Sequence, residues 1–98
     1  MRRHILVAYD ICDQRRLRRV HAIVRDYGDP VQYSIFSCQL TELQRAELER
    51  ELLEVIDQGC DQVLLVDLGQ AAADERAVPG SRVLGRPRQP GLVGVVVL

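Results

Sequence analysis

The chain has no tryptophan and no lysine, and its aromatic side chains are three tyrosines and one phenylalanine. So few rings leave little material for a base-stacking platform. The three cysteines, at 12, 38 and 60, form no CxxC pair, which argues against a disulfide framework and against a zinc knuckle. Each lies in or beside apolar sequence, so buried free thiols are expected. No GxxxxGK[ST] or GxGxxG stretch is present, which removes the nucleotide-cofactor case. Ser34 and Ser37 lack a GxSxG elbow, which argues against acyl chemistry. No apolar run approaches a membrane span, and no leader pattern precedes the first strand, so a cytoplasmic location is expected.

What is present is an apolar fraction of 47 %, enough for a folded core in a chain of 98 residues. The net charge of -1 hides an asymmetry. Residues 1–30 carry seven arginines against four aspartates, whereas residues 31–60 carry two arginines against six acids. All 13 basic residues are arginine, the side chain best suited to bidentate phosphate contacts, although compositional bias produces the same preference.

Hydrophobic periodicity gives the element order. Residues 3–9 read as a central strand. Asp13 is a plausible N-cap for a helix over 14–27, whose apolar face is Leu17, Val20, Ile23, Val24 and Tyr27. Gly28 is expected to stop that helix and Asp29-Pro30 to turn the chain. Residues 31–40 are extended, either one bent strand or two short ones. Thr41 with Gln44 makes a capping box for a second helix, buried through Leu48, Leu52, Val55 and Ile56 and ended by Gly59. On its wet side Glu42/Arg45 and Arg50/Glu54 are expected to pair. A buried strand follows at 63–66.

The core is therefore expected over residues 1–68, an extended connection over 69–91, and a terminal strand over 92–98. That last strand is too apolar to remain an exposed edge, so it completes this sheet or a second subunit's. The order βαββαβ predicts an α+β, ferredoxin-like sandwich with an extra C-terminal strand. Two helices cover one sheet face, and homodimerisation is the simplest way to cover the other.

The candidate chemistry gathers where the first strand ends. Asp10 is either a turn carboxylate or a ligand for a divalent cation, a hard ion that takes oxygen donors. One carboxylate makes a poor site, but two related by a dimer twofold would make a pair able to share an ion. Asp13 fits the cap better than the ligand. Arg15, Arg16, Arg18 and Arg19 crowd the first helical turns, where positive charge opposes the helix dipole. Such a cluster suits a phosphate partner, or else pairs with acidic groups of the same or a neighbouring subunit. His4 and His21 are isolated in sequence and have no partner at a catalytic spacing.

Taken in order, Tyr9-Asp10-Ile11, Arg15-Arg16-Leu17-Arg18-Arg19-Val20, Tyr27-Gly28, Val31-Gln32-Tyr33-Ser34-Ile35-Phe36 and Leu40-Thr41 resemble the CRISPR-associated protein 2 family. The likeness spans residues 3 to about 67. It implies a ferredoxin-like homodimer in which the two copies of Asp10 face each other and bind Mg²⁺ or Mn²⁺. It further implies a metal-dependent endonuclease acting on RNA or double-stranded DNA, or a non-catalytic adaptor that binds duplex DNA and bridges dimers of the CRISPR-associated protein 1 integrase in spacer acquisition. Arg15, Arg16 and Arg19 match the family's basic helix start. Tyr9, Asp13, Ser34 and Phe36 stand as supporting positions, with Phe36 read as packing before chemistry.

Overall fold

The computed structural model describes residues 1–71 and 78–86. Its elements are β1 (Arg3–Asp10), α1 (Gln14–Arg25), β2 (Gly28–Gln32), β3 (Ile35–Leu40), α2 (Glu42–Val55) and β4 (Gln62–Gln70). The four strands form one antiparallel sheet in the order β2-β3-β1-β4, the ferredoxin-like arrangement expected from the element order. The strand expected over 92–98 lies outside the described residues.

Alternation along β1 decides where the core sits, because successive side chains leave opposite sheet faces. Ile5, Val7 and Tyr9 are buried and join Phe36, Cys38 and Leu40 from β3. Val20 and Val24 of α1 and Leu48 and Leu52 of α2 close over them. Leu17, Ile23, Tyr27, Val55 and Ile56 pack around the margin. The helix faces read from sequence spacing are thus the faces that meet the sheet. Cross-strand partners share a face, so Ala8 with Ile35 and Leu64, and Leu6 with Ser37 and Val66, lie on the opposite side. No helix among the described residues covers that side, and Leu64 on it is exposed. By the same alternation Asp10, last in β1, belongs to this helix-free face.

Both helix starts follow the caps read from sequence. The Asp13 carboxylate accepts from the Arg16 backbone N–H at 3.0 Å. Thr41 Oγ1 accepts from the Gln44 N–H at 3.2 Å while Gln44 Oε1 accepts from the Thr41 N–H at 2.9 Å. Two donors that the helix itself cannot satisfy are thereby bonded reciprocally.

Four local expectations change. First, α1 ends at Arg25, and Asp29-Pro30 lies inside β2 instead of turning the chain. Because β2 is the edge strand, a proline lacking its N–H is tolerated there. Second, Gly28 serves close packing and not a helix stop. A Cβ at this position would collide with the Cys38 sulfur and come within 2.5 Å of the Ser37 carbonyl oxygen. Gly28→Ala is therefore expected to cost about 1–3 kcal/mol through forced displacement of β3, read as a lowered urea midpoint. Third, α2 stops at Val55, four residues before Gly59, and Arg45 pairs with Glu49 at 3.6 Å instead of with Glu42. The Arg50–Glu54 pair forms as expected, at 3.2 Å. Fourth, β4 continues to Gln70, so the extended connection cannot begin at residue 69. The open question about residues 31–40 resolves into two strands, with Tyr33 and Ser34 as the turn between them.

Candidate functional site

The C-terminal end of β1 is a meeting point of four segments. Antiparallel pairing sets Asp10 opposite Gln62, which brings the turn before β4 beside the loop after β1. The β2–β3 turn arrives from the other side, where the Ser34 carbonyl accepts from the Tyr9 N–H at 3.1 Å. The start of α1 completes the group. Tyr9, Asp10, Asp13 and the start of α1, contiguous in sequence, are thus joined at one end of the sheet by Ser34 from the β2–β3 turn.

The Asp10 side chain is exposed and makes no hydrogen bond or ion pair with any described residue. Arg15, Arg18 and Arg19 are likewise exposed, as the helical spacing requires once Leu17 and Val20 turn inward. A free carboxylate therefore ends the strand before this loop, and three free guanidinium groups stand on the first two turns of the helix after it. Asp13 is engaged as the α1 cap.

Arg16 behaves differently. Its Nε donates to Asp61 Oδ2 at 2.6 Å and its Nη2 to Asp61 Oδ1 at 3.2 Å, a bidentate pair, and Nη2 also lies 3.3 Å from Cys60 Sγ. Nε and Nη2 are thereby engaged, and Nη1 makes no bond among the described residues. The Asp61 side chain has no solvent exposure, and it also accepts from the backbone N–H groups of Cys12 at 2.9 Å and Asp57 at 2.8 Å. Those donors, the guanidinium foremost, hold the Asp61 carboxyl well below the usual carboxylate range against the opposing effect of burial. The Arg16 charge is reinforced in return. Asp61 thus pins the loop after β1, the first turn of α1 and the turn before β4 to one another.

Sequence inspection missed Asp61. It stands 45 residues from Arg16, among other acids that read as solvated charge, and only strand register brings the two together. Cys12 and Cys60 also depart from expectation. Both are exposed, and only Cys38 is buried. Burial pushes the Cys38 thiol up to about 12. Desolvation, aided by a hydrogen bond with Cys12 and nearby carboxylates, pushes the Cys60 thiol up to about 11.

Tyr9 and Phe36 are buried packing residues with ring centroids 6.4 Å apart. His21 meets Phe36 edge-on at 5.3 Å, and its Nδ1 is hydrogen-bonded to the Tyr9 hydroxyl at 2.9 Å. His21 is therefore not isolated, and it braces the strand that carries Asp10. Burial pushes the Tyr9 phenol up to about 12, and burial, with Arg25 nearby, lowers the His21 value. Both groups are neutral at pH 7, so the bond between them carries no net charge.

Two donor sets could hold a metal. Asp10 offers a free, exposed, hard carboxylate, which suits Mg²⁺ or Mn²⁺ but supplies only half a site in one chain. The second set is Cys12, Cys60 and Asp61, whose donor atoms lie within 4.8 Å of one another. Its carboxylate is already taken by Arg16, and the guanidinium would repel an incoming cation.

A four-stranded antiparallel sheet in the order β2-β3-β1-β4 with two helices on one face defines a small α+β protein of the ferredoxin-like class. Comparison with known proteins narrows this class. The family model described as CRISPR associated protein Cas2 matches residues 2–76. A CRISPR-associated endoribonuclease Cas2 of Rhodospirillum rubrum is 41 % identical over 73 residues, covering 74 % of this chain and 72 % of that protein. Its counterpart in Geobacter sulfurreducens is 32 % identical over 93 residues, covering 95 % of each chain. Among solved structures, Streptococcus pyogenes Cas2 superposes with a TM-score of 0.64 at 32 % identity, covering 67 % of this chain and 86 % of that one. A hypothetical protein, TT1823, from Thermus thermophilus gives 0.74 at 29 % identity, covering 92 % and 99 %. The chain belongs to the Cas2 family of CRISPR-associated proteins.

Proposed function

We propose that this chain works in the cytoplasm as a homodimeric, metal-dependent endonuclease of CRISPR-based antiviral defence, cleaving RNA or double-stranded DNA and taking part in spacer acquisition. The observation that carries this reading is Asp10, whose side chain is exposed and unpaired among the described residues at the end of the central strand, on the sheet face that no described helix covers, with three unpaired arginines following in the first two turns of α1. Packing two copies through that face would hide Leu64 and its apolar neighbours and turn two Asp10 carboxylates toward each other. Membership of the Cas2 family, several of whose members bear the name endoribonuclease, supports the nuclease assignment.

The Asp10 pair would hold Mg²⁺ or Mn²⁺. There the ion would supply Lewis-acid polarisation of a phosphodiester oxygen and a water of lowered pKa. Arg15 and Arg19, with Arg18 between them, would hold the flanking phosphates and offset charge that develops on phosphorus. Arg16, tied to Asp61 through Nε and Nη2, would fix the angle at which α1 presents these side chains and would have only the two N–H donors of Nη1 to offer a phosphate.

A second reading is favoured by one observation. Asp61 is consumed by its pairing with Arg16, which leaves Asp10 as the free acid that each chain offers at this site. A protein with so thin a donor set could instead serve as a dimeric adaptor, binding duplex DNA and docking the CRISPR-associated protein 1 integrase without hydrolysis. Titrating Mg²⁺ into purified protein with RNA and with duplex DNA separates the two. Cleavage that rises with Mg²⁺ and stops with EDTA supports the nuclease, whereas salt-sensitive binding without cleavage supports the adaptor. Reversing Arg15 and Arg19 to Glu is expected to weaken duplex binding about 100-fold or more at low salt under either reading, with a shallower salt dependence in a filter-binding assay.

A further inference from the structure

Cys12 and Cys60 lie 48 residues apart in sequence yet touch, because the antiparallel pairing of β1 with β4 brings their two turns side by side. The Cys12 Sγ–H donates to the Cys60 carbonyl oxygen at 2.6 Å, and the two sulfur atoms lie within 4.8 Å of each other. Both side chains are exposed, so an oxidant can reach them, while Cys38 is sealed in the core. A cation between the thiols would face the Arg16 guanidinium, 3.3 Å from Cys60 Sγ, and would find the Asp61 carboxylate occupied. A neutral covalent link meets neither obstacle.

We propose that Cys12 and Cys60 form a reversible intrachain disulfide that clamps the loop following Asp10 to the turn preceding β4. An S–S bond is about 2.05 Å long, so the sulfurs must close by less than ~3 Å. Both residues sit in irregular segments between elements, where side-chain rotation and small backbone shifts can supply that movement. A peroxide is the oxidant. One thiolate attacks a peroxide oxygen, the O–O bond breaks, and the departing oxygen leaves as water once protonated, giving a sulfenic acid. The second sulfur then attacks that sulfenic sulfur, the S–S bond forms as the S–O bond breaks, and a second water leaves. The two thiols thus give up two electrons and two protons to the peroxide. A dithiol reverses the link by exchange. The bond joins the segments that Asp61 already links through the Cys12 N–H and Arg16, so it reinforces an existing contact. It does not depend on whether Asp10 binds an ion.

Treating the full chain with hydrogen peroxide and mapping unreduced peptides by mass spectrometry tests this directly. The expected result is a Cys12–Cys60 crosslink within one chain. It should be accompanied by a rise in Tm of roughly 10 °C, since a long loop is closed, and dithiothreitol should reverse both. Cys60→Ser should abolish crosslink and shift together, and Cys38→Ser should leave both intact. The proposal is overturned if Cys12 and Cys60 are oxidised separately, if they link different chains, or if the crosslink forms without raising Tm.

Discussion

Replacing Asp10 by alanine is expected to lower Mg²⁺-dependent cleavage by about 100-fold or more while leaving the fold and the dimer intact. The asymmetry of this expectation comes from where the side chain sits. The Asp10 side chain is exposed, bonds to no described residue and contributes nothing to the core, so its removal should change stability by no more than ~0.5 kcal/mol. A dimer that brings two such acids together would even be relieved of their repulsion. A second readout separates loss of the ion from loss of a general acid or base. Mg²⁺ at saturating concentration should raise the Tm of the natural protein, because a ligand that binds only the folded state stabilises it, and should leave that of Asp10→Ala unchanged. Full cleavage by the Asp10→Ala protein would remove the enzymatic assignment.

Asp61→Asn is expected to have the opposite profile, with a large loss of stability. The carboxylate binds two nitrogens of Arg16 and the backbone N–H groups of Cys12 and Asp57, all donors, in a site closed to solvent. An amide presents its NH₂ to at least one of those donors and leaves the Arg16 charge unbalanced. A fall in Tm on the order of 10 °C follows from stranding several charge-assisted bonds. The effect also depends on pH. Asp61 has its pKa depressed in the folded chain, whereas in the unfolded chain it titrates near ~3.9. The stabilisation is therefore fully present above the unfolded value and is lost as pH falls through the lower folded value. Urea unfolding should show a constant gap between natural protein and Asp61→Asn from pH 8 to about 5, narrowing as the solution is acidified below ~4. A gap independent of pH in the acid range would assign the effect to shape instead of charge.

Much of the architecture is legible in the amino-acid sequence. Both helix starts follow from side chains able to accept the first N–H groups, Asp13 and Thr41, and those contacts involve residues three apart in sequence. The buried faces of α1 and α2 follow from helical spacing for the same local reason. Prediction fails where a residue's role depends on a distant partner. Gly28 resembled a helix stop, yet its small size is needed for Cys38 and Ser37 of the next strand. Asp29-Pro30 resembled a turn, yet an edge strand accepts both.

The site divides along the same line. Asp10 and the exposed arginines were legible because strand end and helix start adjoin in sequence. The pairing of Arg16 with Asp61, and the contact of Cys12 with Cys60, were not, because both arise from the register of β1 against β4. His21 was not legible either, because its partners Tyr9 and Phe36 lie on β1 and β3 and meet it only once α1 packs on the sheet.

Crystals of the protein grown with Mn²⁺ would test the central claim most directly, through the anomalous signal of the metal. The account predicts one Mn²⁺ per two chains, bridging the Asp10 carboxylates of neighbouring subunits across the helix-free sheet face. Manganese bound instead at Cys12, Cys60 and Asp61, or subunits paired with their Asp10 residues turned apart, would contradict it.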